Sequence, residues 1–265
     1  MEINKETPVK GGIELTSKET TAIDFFTQVV SSVGAKGFIK GGFLRDKIAS
    51  KERGLELVPK DIDILVVDRI NKIAEIALAN GAVIVERRKR KGTPVFRFSH
   101  QDFPEIDIEM GVALGNKYDT ASFSDIRRAD ALMTDLNVNG MSVVLGEPLH
   151  TLYDPFSARA SIRKGEVSLT HREVLFRNPE NVFRAVRVAD KIDCSLTDWS
   201  KDLIRENVQV VSRIQRPFLL TQLKPIIESK NAAENWALLS DLGALQYAFP
   251  ENPEISLDEI MSKYE

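Results

Sequence analysis

The fold is decided by residues 37–64, which read GFIKGGFLRDKIASKERGLELVPKDIDI. Residues 37–40 have the composition of a short strand, and the pair Gly41-Gly42 that follows predicts a tight turn. A helix is expected from Phe43, and a second strand is expected over 61–67. A strand, a glycine turn, a helix and a further strand indicate the beginning of an α/β fold.

Two acidic residues on the second strand are the first candidates for chemistry. Asp61 and Asp63 are two positions apart, so both carboxylates project from one face while Ile62 and Ile64 project from the other. Two like charges at this spacing repel unless a cation or protons lie between them, and paired carboxylates suit Mg²⁺. A bare Asp-x-Asp pattern is more often a solvated strand face, so the metal-binding interpretation depends on its context.

Neighbouring features supply that context. The Gly41-Gly42 turn would present backbone N–H groups at a helix N-terminus, where a triphosphate could bind, and Arg45 could add positive charge. A second alternating strand near 105–109 would bring a third acid beside the first two, although a solvated strand explains it nearly as well. Asp107 and Glu109 face the same way, so both stay candidates. Three carboxylates around two Mg²⁺ ions would activate a 3′-hydroxyl and stabilise the leaving pyrophosphate.

The rest of the chain divides into a mixed α/β region and a helical region. A capping-box pattern, Thr16 to Glu19, begins an amphipathic helix. The further expected elements of the first region are a helix over 70–80 and strands near 82–85, 95–98, 106–110 and 142–145. From about His171 onward, the strand signals disappear and helices are expected over 180–191, 197–211, 218–228 and 232–242. We place the domain boundary near residue 170.

The composition is that of an ordinary globular protein, with 43% hydrophobic and 28% charged residues and a formal net charge of -3. The chain is not basic overall, so any RNA contact would be local. Two basic runs, 86–91 and Arg127-Arg128, could serve this purpose, but such runs are often solvated turns. Cys194 is the only cysteine, and the sequence has neither a signal-peptide pattern nor a long apolar run. We therefore expect a cytoplasmic protein with no membrane association.

The combination of Gly-Gly-x-x-Arg-Asp at 41–46 and Asp-x-Asp at 61–63 resembles the first motif of the class II nucleotidyltransferases. This family contains tRNA CCA-adding enzymes and bacterial poly(A) polymerases. The resemblance implies an α/β nucleotidyltransferase head, with a mixed, mainly antiparallel sheet and flanking helices, followed by an all-α neck. It implies a catalytic head over 1–170 and a helical neck, or RNA-binding domain, over 171–265.

The same motif implies roles for individual residues. Asp61 and Asp63 would be the catalytic, metal-binding pair, with Asp107 or Glu109 as the third acid. The implied nucleotide-binding residues of this motif are Gly41, Gly42, Arg45 and Asp46.

Two of the later segments that extend the resemblance carry candidate site residues. Residues 130–140, DALMTDLNVNG, resemble a family motif that implies Asp135 and Asn139 in the nucleotide pocket, although Met133-Thr134 replaces its arginine pair. Residues 177–187, RNPENVFRAVR, resemble the neck motif, which implies that Arg184 and Arg187 lie near the nucleotide phosphates.

The neck motif also contains a departure. Asn178 and Asn181 occupy the positions where CCA-adding enzymes present an Asp and an Arg to the incoming base. Asparagine both donates and accepts hydrogen bonds, so a base contact stays possible, but the charged template for selecting C and then A is missing.

The resemblance implies a Mg²⁺-dependent enzyme, with a two-metal site, that adds nucleotides from CTP or ATP to an RNA 3′-end. The favoured reaction is synthesis or repair of the tRNA CCA end. One alternative is a compact nucleotidyltransferase that modifies a small molecule, a protein or a tRNA end as a toxin or phage-encoded modifier. Another is a non-catalytic nucleotide- or RNA-binding homologue. The acidic balance favours the first alternative, and the retained Asp61, Asp63 and Arg45 argue against the second.

Overall fold

The computed structural model describes residues 13–59, 61–90, 92–113, 122–252 and 254–261. The chain folds as two compact units. Unit 1 comprises Met1–Thr134 and Val138–Arg159, and unit 2 comprises Asp135–Asn137 and Ala160–Glu265. Unit 2 thus begins before the sequence-based boundary near residue 170 and also takes three residues from the middle of the head.

Unit 1 is an α/β structure. Its elements in chain order are α1 (Ser17–Ser32), β1 (Gly37–Lys40), α2 (Gly42–Arg53), β2 (Asp61–Val66), α3 (Ile70–Ala79), β3 (Val83–Arg90), β4 (Thr93–Ser99), β5 (Asp107–Val112), α4 (Phe123–Leu132) and β6 (Ser142–Val144). In the described part of the chain, these six strands form one sheet with the order β3-β4-β5-β2-β1-β6. The β2–β5 pair is parallel and the other four pairs are antiparallel. The predicted mixed, mainly antiparallel sheet is confirmed.

Helix α1 begins at the predicted capping box. The Thr16 hydroxyl accepts a hydrogen bond from the backbone N–H of Glu19 at 3.2 Å, and the Glu19 carboxylate accepts one from the Thr16 N–H at 2.7 Å. Two N–H groups that lack partners inside the helix are satisfied in this way. The predicted apolar face of α1 is also buried; it consists of Ile23, Phe26, Val29 and Val30.

Strand β2 lies at the centre of the sheet, between β5 and β1. Ile62 and Ile64 are buried in the core, whereas Asp61 and Asp63 are half-buried on the opposite face. The predicted division of β2 into an apolar and an acidic face is therefore confirmed. On the apolar face, the ring of Phe26 from α1 lies 5.3 Å from that of Phe98 on β4.

Two elements of unit 1 differ from the sequence expectation. Strand β3 continues through the basic run as far as Arg90, so this run lies on an edge strand instead of in a turn. Helix α4 was not predicted, because the pattern around it is irregular. It nevertheless begins at a capping box, in which the Ser122 hydroxyl accepts from the Asp125 N–H at 3.2 Å.

Unit 2 is mainly helical. Its elements, with α5 crossing the unit boundary, are α5 (Ala158–Lys164), β7 (Glu166–Val167), α6 (Glu173–Arg177), α7 (Asn181–Lys191), β8 (Ser195–Leu196), α8 (Asp198–Asn207), α9 (Arg216–Ile227), α10 (Ala232–Asp241), α11 (Ala244–Ala248) and α12 (Leu257–Met261). The predicted helical neck is confirmed, with one addition: β7 and β8 form a two-residue parallel pair. So short a pair leaves no periodic signal in the sequence. Within the described ranges, none of the helices is long and apolar enough to cross a membrane.

Candidate active site

The sheet brings four acidic residues onto one face of unit 1. In the parallel pair of β2 and β5, Asp61 lies opposite Asp107 and Asp63 lies opposite Glu109. Neighbouring residues in register project from the same side of a sheet, so all four carboxylates share the face opposite the apolar core. The structure thus places both candidates for the third acid beside the paired aspartates.

The glycine turn between β1 and α2 lies against one of these acids. Gly41 has φ 78° and ψ -137°, a conformation available to glycine and strained for other residues. A Cβ atom added at Gly41 would stand 3.1 Å from Oδ2 of Asp63. The N-terminus of α2, where the first N–H groups have no partners inside the helix, therefore begins beside a carboxylate of the acidic pair. An anion bound at this turn would lie next to any cation held by that carboxylate.

Arg45 is buried in a polar network under the turn. Arg45 is 6% exposed, its Nε donates to Oδ1 of Asp46 at 2.8 Å, and its Nη1 donates to Oδ1 of Asn139 at 2.9 Å. The structure thus brings together three predicted nucleotide-binding residues from distant parts of the sequence. The guanidinium bonds to protein groups in this arrangement, so it fixes Asn139 against the first turn of α2.

Lys40 and Asp130 form an ion pair on the same face of the sheet, which the sequence analysis did not identify. Lys40 lies opposite Asp63 in the register of β1 and β2, and the Asp130 side chain is 3% exposed. The sequence signal for this ion pair was a lysine at the end of β1, after Gly37, Phe38 and Ile39. The ion pair compensates the buried carboxylate of α4 beside the acidic pair.

The two acids of β5 are paired with arginines. Arg88 Nη2 lies 2.6 Å from Glu109 Oε2, and Arg97 lies 3.6 Å from both Glu109 and Asp107. Burial by itself would lower the pKa of Arg88, but the Glu109 and Glu86 carboxylates outweigh it and raise that pKa above its ordinary value. Arg88 therefore remains a cation throughout the physiological range.

Asp61 and Asp63 have the properties that a Mg²⁺ site requires. They supply two half-buried carboxylates on one face of a rigid strand, beside a turn that can bind phosphate. Mg²⁺ is usually held by one or two carboxylates together with substrate phosphates. Among the described residues, no group of three or more His, Cys, Asp or Glu side chains is arranged to hold a metal. The geometry fits a two-carboxylate site, with the β5 acids held on arginines.

In unit 2, Asp135 and Arg184 form an ion pair of 2.7 Å. The Asp135 carboxylate also accepts a hydrogen bond from the Leu136 N–H at 2.8 Å, and its backbone oxygen accepts from the Thr170 N–H at 3.0 Å. The Asp135 side chain is 16% exposed and the Arg184 side chain is 44% exposed. An anchored carboxylate thus orients a guanidinium that stays open to solvent, as a phosphate contact requires. Arg187 lies half-buried on the same helix, α7.

The two asparagines of the neck motif have different surroundings. Asn178 is half-buried at the end of α6. Asn181 is only 3% exposed, and its amide donates to the backbone oxygen of Val174 at 3.0 Å. The same carbonyl also accepts a hydrogen bond from the Asn178 backbone N–H at 3.1 Å, so the Asn181 amide is its second donor. The Asn181 amide thus faces the interior of unit 2, which the sequence did not indicate.

The second basic run is partly structural. Arg127 is buried, donates to the side chain and the backbone oxygen of Ser142 at 2.9 and 3.1 Å, and lies 4.9 Å from the Tyr153 ring centre. Arg128 is exposed. Burial raises the pKa of Tyr153, although Arg128 and Arg127 oppose the shift. Arg127 therefore packs unit 1 and leaves Arg128 for the solvent. In the first basic run, Lys91 lies outside the described residues.

Comparison with known sequences finds one curated relative of the chain at significant similarity, and no family model matches the chain. A curated relative, the A-adding tRNA nucleotidyltransferase of Geobacter sulfurreducens, is 23% identical over 219 residues, which are 80% of this chain and 24% of the relative.

Solved structures are similar over most of the chain. A CCA-adding enzyme in complex with CTP matches 89% of the chain with a TM-score of 0.76 and 19% identity. The Thermotoga maritima CCA-adding enzyme complexed with tRNA matches 94% with a TM-score of 0.77 and 18% identity. The present chain covers 54% and 57% of those two chains, and so spans about half of their length. The solved structures show that this chain has the fold of CCA-adding enzymes over most of its length.

Proposed function

We propose that this chain is the catalytic head and neck of a Mg²⁺-dependent nucleotidyltransferase that adds nucleotides from CTP or ATP to an RNA 3′-end. The favoured acceptor is tRNA, in synthesis or repair of its CCA end, and the favoured location is the cytoplasm. The observation that carries the proposal is the closeness of the Gly41 turn to Asp63, whose Oδ2 lies 3.1 Å from the point where a Cβ atom would stand at Gly41. It joins a phosphate-binding turn to a metal-binding carboxylate, as transfer from a nucleoside triphosphate requires.

The names of the similar proteins support the acceptor and the donor. The curated relative is an A-adding tRNA nucleotidyltransferase, and the similar structures include a CCA-adding enzyme with CTP and another complexed with tRNA. A further structure, 20% identical over 84% of this chain with a TM-score of 0.66, is a tRNA nucleotidyltransferase with a primer tRNA and an incoming ATP analogue.

In the proposed reaction, the RNA 3′-hydroxyl oxygen bonds to the α-phosphorus of the nucleotide while the bond between that phosphorus and the β-phosphate bridging oxygen breaks. The hydroxyl proton leaves to solvent and pyrophosphate departs. Asp61 and Asp63 would hold Mg²⁺, which lowers the pKa of the attacking hydroxyl and neutralises charge on the leaving group. The N–H groups at Gly41 and Gly42 would orient the triphosphate. Asp107 or Glu109 would provide the third acid.

The further nucleotide-binding residues that the family resemblance implies lie partly in unit 1 and partly in unit 2. Arg45, bonded to Asp46, would hold Asn139 in the nucleotide pocket. Arg184, oriented by Asp135, would contact phosphate through its exposed guanidinium edge. Arg187 would add positive charge on the same helix. Rigid placement of such groups supplies most of the rate enhancement in phosphoryl transfer.

One observation favours a second candidate function. The amide of Asn181 bonds to Val174, so the neck would read the incoming base through Asn178 without a charged Asp and Arg pair. A compact nucleotidyltransferase with a different acceptor, such as a small molecule, a protein or a tRNA end modified by a toxin or phage enzyme, would tolerate this loss. A non-catalytic nucleotide- or RNA-binding role would explain the phosphate-binding turn but not the pair of acids, Asp61 and Asp63, beside it.

The test is nucleotide transfer by the purified protein with Mg²⁺, each radiolabelled nucleoside triphosphate and tRNA that lacks its terminal nucleotides. We expect label from CTP or ATP in tRNA, and we expect Asp61→Asn and Asp63→Asn each to abolish it. Asp68→Asn is the matched control, because the Asp68 side chain is 54% exposed beyond the end of β2. Label in another acceptor would support the second candidate. Transfer that survives in both aspartate variants would overturn the metal-dependent proposal.

A further inference from the structure

The acidic face of the sheet continues as a row of charged side chains, and the proposed function leaves the arginines of this row unexplained. Strand β5 contributes Asp107 and Glu109, β4 contributes Arg97, and β3 contributes Glu86 and Arg88. The row thus places two guanidinium groups among three carboxylates, directly beside the proposed metal-binding strand β2. Their positions bear on which β5 acid can reach a metal ion.

Arg97 is surrounded by carboxylates without making a hydrogen bond of normal length to them. Its nitrogen atoms lie 3.6 Å from Asp107 Oδ2, 3.6 Å from Glu109 Oε2 and 3.7 Å from Glu86 Oε2. Good N–H···O hydrogen bonds are about 2.7–3.2 Å long. The Arg97 Nε is buried and finds no hydrogen-bond partner in the part of the chain that the structure describes. Charge attraction thus holds Arg97 in place, and each single contact is weak.

The two β5 acids differ in how firmly they are held. Glu109 is 16% exposed and has a short contact of 2.6 Å with Arg88 in addition to its contact with Arg97. Asp107 is 39% exposed and lies 3.6 Å from Arg97. Asp107 is also the residue opposite Asp61 in the β2–β5 register. Asp107 would therefore break fewer contacts than Glu109 if its carboxylate moved toward β2.

We propose that Arg97 is a positioning residue that competes with the metal ion for the carboxylate of Asp107. The Asp107 carboxylate lies 3.6 Å from Arg97, and among the described residues no group of three or more His, Cys, Asp or Glu side chains is arranged to hold a metal. A divalent cation beside Asp61 attracts a carboxylate more strongly than a single guanidinium charge does. Asp107 is then the third acid, and Glu109 anchors the arginines. The inference rests on the proposed metal-dependent function.

The experiment is a titration of the purified full chain with Mn²⁺ alone, in which free Mn²⁺ is measured by electron paramagnetic resonance. Arg97→Gln removes the competitor, so we expect the Mn²⁺ dissociation constant to fall about threefold to fivefold, as for loss of one nearby surface charge. Arg97→Lys keeps the charge and should bind Mn²⁺ as the wild type does. The double variant Arg97→Gln/Asp107→Asn should lose this increase in Mn²⁺ affinity, and Arg97→Gln/Glu109→Gln should keep it.

Arg87→Gln is the matched control. It removes the same charge from β3, but Arg87 lies on the other face of the sheet, with its guanidinium carbon 5.1 Å from the Phe96 ring centre. An unchanged Mn²⁺ dissociation constant in Arg97→Gln would overturn the proposal. An equal gain in Mn²⁺ affinity in Arg87→Gln would also overturn it, and so would a gain in Arg97→Gln that persists when Asp107 is replaced. Either result would mean that the loss of one positive charge anywhere on the protein is enough to raise Mn²⁺ affinity. Thermal melting of each variant verifies its fold. If the variants show the expected Mn²⁺ dissociation constants but the protein transfers no nucleotide, the result counts against the proposed function and not against the role of Arg97.

Discussion

Oδ2 of Asp63 lies 3.1 Å from the point where a Cβ atom would stand at Gly41. This separation is shorter than an ordinary van der Waals contact, and the two residues are fixed by regular elements, since Gly41 is the N-cap of α2 directly after β1 and Asp63 lies within β2. A methyl group at residue 41 would therefore displace the carboxylate or the turn. The glycine is required by its neighbour as well as by its own φ of 78°.

Gly41→Ala is expected to reduce nucleotide transfer by about 100-fold, because a small displacement of a catalytic group is enough for such a loss. The left-handed backbone should also lower the free energy of unfolding by about 1–3 kcal/mol. Gly54→Ala separates the two effects, since Gly54 has φ 67° but no atom within 4 Å of the added Cβ. It should lose stability and retain transfer. Equal transfer losses in the two variants would show that backbone strain alone was responsible.

Asn139→Ala is expected to lower the free energy of unfolding by about 1–3 kcal/mol, because it removes the acceptor of a buried hydrogen bond from Arg45. A double-mutant cycle with Arg45→Met, followed by urea denaturation, measures the interaction. Residues in one buried network should give a coupling energy of about 0.5–3 kcal/mol. Strictly additive changes would mean that the two side chains act independently.

Arg184→Ala is expected to affect transfer far more than stability. The Arg184 side chain is 44% exposed, and a partly exposed ion pair contributes only about 0.2–1 kcal/mol. If Arg184 binds a phosphate, the Michaelis constant for the nucleotide should rise while urea denaturation changes little. Arg205→Ala is the control, because Arg205 forms ion pairs with Asp202 and Asp241 on the surface of the same unit. A nucleotide Michaelis constant that matches the wild type in Arg184→Ala would exclude the phosphate contact.

Arg127→Gln and Arg128→Gln should differ in urea denaturation although the residues are adjacent. Arg127 is buried and donates two hydrogen bonds to Ser142, so its loss should cost about 1–3 kcal/mol of unfolding free energy. The exposed Arg128 should change stability by less than about 0.5 kcal/mol. Similar stabilities for the two variants would contradict the assignment of Arg127 to the packing of unit 1.

Asp154 should make stability depend on acid pH in the direction opposite to a typical carboxylate. Burial raises the pKa of Asp154 above its ordinary value of 3.8, although hydrogen bonds from the Arg159 and Ala158 N–H groups oppose the shift. The folded state thus keeps a proton that the unfolded state has released, so this contribution to stability falls as pH rises from 3.8 through the raised pKa.

The measurement is urea denaturation of the wild type and Asp154→Asn at several pH values between about 3 and 7. The difference in free energy of unfolding, wild type minus variant, should decrease with rising pH. A difference that increases with pH would mean that the folded state lowers this pKa.

The sequence predicted the elements whose signals are local. The alternation of β2 assigned Asp61 and Asp63 to one face, and the Thr16–Glu19 pattern located the start of α1, because both depend on residues a few positions apart. Helix α4 was missed, since its apolar spacing is irregular and its burial is decided by packing, as for Ile126 against Phe38 and Ala113. The division of the chain at Arg159 depends likewise on contacts that no local pattern reports.

The sequence by itself determined the alternating face of β2, the glycine turn and the family resemblance, because strand periodicity, glycine conformation and motif spacing are properties of neighbouring residues. Only the tertiary structure decided that Arg45 meets Asn139, that Asn181 bonds to Val174 and that Arg97 lies between Asp107 and Glu109. Such partners depend on strand register and helix packing. These are set by the burial of apolar side chains across the whole unit, and a shift of one residue would exchange the faces.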